Sequence, residues 1–414
     1  MLLRLAIGVV LAVLSSHAQA ASEPVVFARG ECCAGRCWPE LRIGALAGPT
    51  RAGTIFAFAQ GIVNVPVRQS YILLKRSSDG GYSWSNATVA AYVATGTSGN
   101  PAPVVLADNT TLLLFFQHMT AAHHPGYSAF VTRSTDDGAS FDSPLNVTAQ
   151  VKVRQTKVTP PSFVELPTNY WWDVGPPGGV VDATGRLVQC MNVEDPPVRD
   201  GGRPYVYSAS SADGRVWTAS RGRQPLFGDG SGECQLARVG DGGKRLVMFA
   251  RSQRPGTSGD DSNGTQEHVA LFSNDGGADW SAPQRLRDIP GPNCEGSILG
   301  VPPAAQGASS NWSLIATAPS NTDVLDSKGL LLRAGLAMYA SGDGLSWQRC
   351  GPLIDVNASA YSSLLLYGGG SSGKGGGDSR EVLCLFEAGE GTDHAAPYKT
   401  IRLARRPIAT CTPM

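Results

Sequence analysis

Ser77-Ser78-Asp79-Gly80-Gly81-Tyr82-Ser83-Trp84 follows a strand-like run, Tyr71-Ile72-Leu73-Leu74-Lys75-Arg76, and precedes another stretch of mixed polar and apolar residues. Such a segment is built to turn the chain. Short Ser and Asp side chains bond to nearby backbone amides. Glycine reaches positive φ without a Cβ clash, and the closing aromatic ring packs beneath the loop. One copy predicts only a hairpin. The pattern Ser-x-Asp-x-Gly-x-x-aromatic recurs from Ser134 to Phe141 and from Ser273 to Trp280. Forms one residue shorter run from Ser211 to Trp217 and from Ser341 to Trp347. Five copies, starting 57 to 77 residues apart, predict an all-β propeller of four-stranded sheets.

Composition agrees. Gly supplies 50 of 414 residues, above the usual ~7%, and charged residues only 16%, below the usual ~25%. Thirty-four basic residues balance 34 acidic ones, which argues against a nucleic-acid partner or an acidic tail. Residues 1–20 read as a secretory signal peptide: Arg4, an apolar run Leu5 to Leu14, and a small-x-small cleavage site at Ala18-Gln19-Ala20. That run is too short to span a bilayer, and no transmembrane segment is expected. Six Asn-x-Ser/Thr sequons, at Asn86, Asn109, Asn146, Asn263, Asn311 and Asn357, suit an exported glycoprotein. Nine cysteines in an oxidising compartment should partly pair, and the odd number leaves at least one over. Cys32, Cys33 and Cys37 fit no standard zinc spacing and read better as disulfide partners. No metal or cofactor is expected.

The repeats are Asp boxes (BNR repeats), and from about residue 38 to residue 405 the chain resembles the exo-α-sialidase (neuraminidase) family. The resemblance implies a six-bladed β-propeller filling residues 21–414 as a single domain. The glycine tract Gly368 to Gly377 reads as a loose hairpin loop inside it.

A sialoside carries a carboxylate on its anomeric carbon. Arginine suits the holding of that anion, because its planar fork bonds both oxygens and stays charged. A neutral nucleophile suits the attack, because the substrate's own charge would repel an Asp or Glu; sialidases use tyrosine for this reason. Leu41-Arg42-Ile43-Gly44 is similar to the family's Arg-Ile-Pro opening, with Gly44 in place of proline. Arg251, ending Leu246-Val247-Met248-Phe249-Ala250-Arg251, and Arg333, in Leu331-Leu332-Arg333-Ala334, resemble the second and third arginines. Ser359-Ala360-Tyr361-Ser362 resembles the nucleophile segment, and Gly232-Glu233-Cys234 the glutamate that polarises it. Glu387, in Cys384-Leu385-Phe386-Glu387, matches a glutamate that buttresses Arg42. Gly99 to Val105 resembles a second-blade segment beside the pocket, Gly175 to Val180 the glycine-rich turn at the active-site rim, and Asn293-Cys294-Glu295-Gly296-Ser297 another turn of the family. Trp171 and Trp172 fit either the pocket lining or the core.

One part departs from the family. The general acid/base aspartate belongs in a stretch that here reads Gln60-Gly61-Ile62-Val63-Asn64-Val65-Pro66-Val67-Arg68-Gln69-Ser70, with no acidic residue. Asp79 is the one acid between Arg42 and Asn100, and it belongs to an Asp box. The implied activity is retaining hydrolysis of terminal α-linked sialic acids from glycoproteins, glycolipids or oligosaccharides. A trans-sialidase, or a sialic-acid-binding propeller without turnover, stays open. The expected partners are sialylated glycans, and the expected place is outside the cell or in an endomembrane or lysosomal lumen.

Overall fold

The computed structural model describes residues 23–64, 68–94, 96–120, 127–155, 163–165, 172–194, 204–220, 231–239, 245–252, 266–303, 313–325, 327, 331–368, 379–389 and 397–411. The signal peptide, Trp171 and most of the glycine tract lie outside the described residues.

The fold is all-β. Strands follow one another as antiparallel meanders, the first two joined by a parallel bridge between Ser70 and Thr97 and the last two by pairing of Ala334–Ser341 with Asp355–Tyr367, so that each couple forms one eight-stranded sheet. The first runs through Glu40–Ala47, Ile55–Val63, Gln69–Ser77 and Thr88–Ala91. The second takes Gly96–Val105, Leu112–Thr120, Tyr127–Ser134 and Leu145–Asn146. In the third, Trp172–Val174 and Val180–Val181 both pair with Leu187–Glu194, and Pro204–Ser211 and Thr218–Ala219 follow. The fourth comprises Ser231–Arg238, Leu246–Ser252, Gln266–Ser273 and Gln284–Gly291. The fifth comprises Ser297–Val301, Ser313–Pro319, Ala334–Ser341 and Gln348–Arg349. The sixth joins Asp355–Tyr367, Glu381–Ala388 and Thr400–Pro407 to the N-terminal strand Val25–Ala28, so the two ends of the chain share one sheet.

Buried apolar residues lie between the meanders. Ala45, Phe56 and Phe58 of the first meet Leu112, Leu114 and Phe116 of the second. Phe115 of the second packs with Trp172 and Met191 of the third, and Val188 and Cys190 of the third with Met248 and Leu271 of the fourth. Further cores join the fourth to the fifth, the fifth to the sixth, and the sixth back to the first. Each buried Leu, Ile or Phe contributes about 1.5–3 kcal/mol relative to exposure. No meander covers both of its own faces, so each depends on its neighbours.

The five Asp boxes all connect the third strand of a meander to its fourth. In the first, Ser77 Oγ accepts the Gly81 N–H at 2.7 Å, and Asp79 Oδ1 accepts those of Tyr82 and Ser83 at 3.0 and 2.9 Å. The Ser83 hydroxyl and amide, with the Ser77 hydroxyl and the Tyr82 amide, hold the exposed Asp79 carboxylate below its ordinary pKa range. Gly80 and Gly81 adopt φ of 80° and 91°, which a side chain would resist. The Trp217 and Trp347 rings are buried and donate to Gly214 and Gly344 carbonyls of their own boxes. Trp280 instead reaches Ser208 of the preceding meander. The boxes therefore pin turns, and some also fasten neighbours.

Among the described residues, no helix is long and apolar enough to cross a membrane.

Candidate active site

Because strands alternate in direction, the starts of the first strands gather at the end opposite the Asp boxes. Arg42 and Glu233 are the third residues of their strands, and Arg251 and Glu387 lie at the far ends of second strands. Register shifts occur where the functional side chains sit: between Arg42 and Ala45, between Ser231 and Cys234 around Glu233, and between Ser359 and Ser362 around Tyr361. Another falls between Gly99 and Ala102, around Asn100. A bulge re-aims side chains that regular alternation would send to one face or the other. Ile43 and Asn100 take φ of 53° and 50°. For a β-branched isoleucine that is a costly conformation. It turns the Ile43 N–H onto Glu387 Oε1 at 2.6 Å.

The six expected side chains converge. Tyr361, 6% exposed, donates its hydroxyl to Glu233 Oε1 in a short hydrogen bond. Arg251 Nη1 lies 2.7 Å from Glu233 Oε2 and 3.4 Å from the Tyr361 hydroxyl. Arg42 Nε donates to Glu387 Oε1 at 2.7 Å, and its guanidinium stacks 3.9 Å from the centre of the Tyr398 ring. Arg333 donates to the Tyr398 hydroxyl at 3.1 Å and to the Asn293 carbonyl at 2.9 Å. Arg42 and Arg333 also lie over the Tyr361 ring, at 5.5 and 5.8 Å. Three guanidinium groups thus surround one tyrosine.

Burial governs the electrostatics. It raises the Tyr361 hydroxyl well above its ordinary pKa, Glu233 adds to the rise, and Arg251 and Arg333 oppose it. The empty pocket therefore holds a neutral phenol that donates to a carboxylate. Burial works to lower the Arg42 pKa, but Glu387, Tyr398 and Tyr361 outweigh it. Cys294, a buried unpaired thiol, is pushed up to about 12 by burial despite Arg333 and Arg251. It stays a thiol, so it is a poor nucleophile. Behind it, burial lowers His268 to about 4, and its ring stacks 4.5 Å from that of Phe249.

Sequence reasoning missed three members of this cluster. Asn293 accepts from Arg251 Nε and, through its carbonyl, from Arg333; the segment was legible as a turn, but not as a clamp on two arginines. Tyr398 gives no motif signal and reaches the pocket from beyond the described gap at 390–396. Glu295 looked like part of the same turn and is instead a fully buried carboxyl. Trp172 is core: it is fully buried and donates to the Tyr207 hydroxyl at 2.7 Å.

Disulfides join Cys32 to Cys37, Cys190 to Cys234 and Cys350 to Cys411. Cys33, Cys294 and Cys384 are free, in line with the odd count. The Cys190–Cys234 bond ties the residue after Glu233 to the third meander.

Beside the charged group, Gln60 pairs in register with Arg42. It donates to Ser70 Oγ at 2.9 Å, and that hydroxyl donates to the Ser98 carbonyl at 2.8 Å. Asn100 donates to the Val174 carbonyl at 3.2 Å. These groups are neutral.

The model of the BNR repeat-like domain matches residues 53–372, and the chain belongs to that family. An exo-alpha-sialidase of Aspergillus fumigatus is 25% identical over 281 residues, which are 60% of this chain and 58% of that protein. The chain therefore spans somewhat over half the length of this relative. The solved Hadza microbial sialidase superposes with a TM-score of 0.66 at 19% identity, covering 91% of this chain and 67% of that one. Trypanosoma rangeli sialidase, solved with 2,3-difluorosialic acid as a covalent intermediate, gives a TM-score of 0.62 at 16% identity, covering 94% and 58%. At such identities the likeness establishes a sialidase fold.

Proposed function

We propose that this chain is a retaining exo-α-sialidase that removes terminal α-linked sialic acids from glycoconjugates, and that its meanders close as a six-bladed β-propeller. The ring of shared cores, with the sixth meander packed on the first, supports the closure. Arg42, Arg251 and Arg333 hold the substrate carboxylate, and Glu387 fixes Arg42. The Tyr361 oxygen attacks the anomeric carbon as Glu233 takes the phenol proton. The glycosidic bond breaks, the departing oxygen takes a proton from water and leaves hydroxide, and Tyr361 stays joined to the anomeric carbon through its phenol oxygen as an aryl ketoside. The hydroxide so formed attacks the anomeric carbon, and Glu233 returns its proton to the departing Tyr361 oxygen, which releases sialic acid and restores the tyrosine. Transfer to a sugar hydroxyl is the trans-sialidase variant.

The observation that carries this reading is the Tyr361–Glu233 hydrogen bond in reach of Arg251. Free tyrosine, with a pKa near 10, needs such a base. The covalent intermediate of the Trypanosoma rangeli sialidase supports the retaining route.

A second reading, a sialic-acid-binding propeller without turnover, is favoured by the acid-free stretch Gln60 to Ser70. General acid catalysis typically contributes about 10²–10⁴-fold. In the hydrolase reading, bound water protonates the leaving oxygen on this side. The leader-like residues 1–20, three disulfides and exposed sequons at Asn86, Asn109 and Asn146 support an exported glycoprotein. The test is hydrolysis of an aryl sialoside by the wild type and by Tyr361→Phe. Turnover lost in the variant supports the hydrolase. Tight sialic-acid binding with no turnover in the wild type supports the binding protein.

A further inference from the structure

Glu233 sits where regular strand pairing breaks. Ser231 faces Ser252 and Cys234 faces Ala250, so Gly232 and Glu233 together oppose Arg251. A bulged residue loses its regular ladder partner, and its side chain is aimed by whatever fixes its neighbours. The Glu233 carboxylate meets Arg251 and Tyr361. In the proposed reaction Tyr361 gives up its proton, so one of these two holds is lost at the step that needs the base.

The next residue supplies an anchor. Cys234 is bonded to Cys190, and both are fully buried. Cys190 lies inside the strand Leu187–Glu194, paired with Ser208 on one side. On the other side its carbonyl accepts the Gly175 N–H at 3.0 Å. Gln189 Nε2 donates to the carbonyls of Gly175 and Cys190, both at 3.1 Å. The turn that starts at Gly175 is pressed against the same bond, because a Cβ there would run into the Cys234 carbonyl oxygen and Cys190 Sγ. The disulfide thus fixes the backbone one residue from Glu233 to a strand that is held on both sides. Arg251 has separate holds. Its Nε donates to Asn293, and Ala250 before it pairs with Val269 as well as with Cys234. Cutting the disulfide therefore releases Glu233 more than the arginine opposite it.

We propose that the Cys190–Cys234 disulfide is a positioning device for Glu233, setting its approach to the Tyr361 hydroxyl and so the rate of the chemical step, while the arginines bind an anion without it. The catalytic consequence rests on the sialidase reading; the placement of Glu233 does not. A misplacement of about 1 Å at a reacting group can cost on the order of 10²-fold in rate.

The double variant Cys190→Ala, Cys234→Ala should lose about 10²-fold in kcat on an aryl sialoside, with little change in the Kd of 2-deoxy-2,3-didehydro-N-acetylneuraminic acid. Unchanged kcat overturns the proposal. So does a Kd that weakens as much as kcat falls, because that marks general damage to the pocket. Crystal structures of the wild type and the variant read the placement without any ligand. Glu233 should leave the Tyr361 hydroxyl in the variant while the Arg42–Glu387 pair stays; an unmoved Glu233 overturns the proposal. If the variant does not fold, stepwise reduction of the folded wild type with a water-soluble phosphine, with thiols mapped at each step, takes its place. There kcat should fall as Cys190 and Cys234 appear as thiols, and full kcat after that bond has opened overturns the proposal. Mapping that finds both cysteines free in the untreated protein overturns it too. If Glu233 moves in the variant but the wild type cleaves no sialoside, the positioning stands and the sialidase reading fails.

Discussion

The two sides of the pocket differ in kind. On the side built by the fourth, fifth and sixth meanders, Glu233, Arg251, Arg333 and Tyr361 are tied to one another or to shared partners such as Asn293 and Tyr398, and Glu387 reaches over to hold Arg42 of the first. Beside Arg42 on the first and second meanders stands a group of amides and hydroxyls, Gln60, Ser70, Ser98 and Asn100. The charged side can hold an anion and activate a phenol. On the neutral side the stretch Gln60 to Ser70 supplies no carboxylic acid. In the proposed reading, anion binding and nucleophile activation rest on the charged side, and the stretch Gln60 to Ser70 offers no carboxyl to a leaving group.

Removing the nucleophile should separate the sides most sharply. Tyr361→Phe deletes one hydroxyl and leaves the ring between Arg42 and Arg333, so aryl-sialoside turnover should drop on the order of 10³-fold or more. Sialic-acid affinity should change far less. A variant of full activity would place the chemistry elsewhere. Next in size is the anion clamp. Arg251→Ala or Arg333→Ala should weaken binding of a sialic-acid analogue by about 2–5 kcal/mol, because each leaves buried partners unpaired. Unchanged affinity in both variants would dissolve the charged side as a carboxylate site.

The neutral side has its own test. A phenol of low pKa leaves without help, whereas a sugar alcohol needs a proton. Aryl sialosides should therefore be cleaved faster than natural ones by a factor approaching the roughly 10²–10⁴ that a general acid contributes. Asn64→Asp, at the exposed end of the strand Ile55–Val63, should narrow that gap. Equal rates on both substrate types in the wild type would reveal a donor on this side.

Much of this contrast was legible in the sequence. Asp boxes carry their own chemistry within eight residues, so local order suffices to find them. The charged residues were legible because each sits in a short stretch with recognisable neighbours, as in Ser359-Ala360-Tyr361-Ser362. The absence of an acid between Gln60 and Ser70 needs only reading. Other features depend on the fold. Tyr398 and Asn293 join the site through contacts with Arg333, 65 and 40 residues away along the chain. The bulges at Arg42, Glu233 and Tyr361 have no marker, because a register shift is a property of two strands. The pairing of Cys190 with Cys234 rather than any other cysteine was equally hidden. The burial of Glu295 in its turn was hidden too, because burial is not visible one residue at a time.

The smallest expected effect concerns stability. In the folded state Glu295 keeps its proton above the ordinary carboxylate pKa, where the unfolded chain has lost it. The native state then binds more protons, so stability falls as pH rises from the ordinary value towards the raised one. Below that window the group contributes nothing. Urea unfolding across this range should show the fall in the wild type, at about 1.4 kcal/mol per pH unit at most, and a flatter profile in Glu295→Gln. Parallel profiles would mean that Glu295 ionises normally, and would add a negative charge to the charged side.

The central claim is that Tyr361 forms a covalent bond to the sugar. A 2,3-difluorinated sialic acid reacts quickly and leaves slowly, so its adduct survives digestion and mass mapping. The account predicts the sialyl label on the peptide carrying Tyr361, its site fixed by fragmentation to that tyrosine, and no label in Tyr361→Phe. A label on any other residue, or an unlabelled protein that still turns over sialosides, would contradict it.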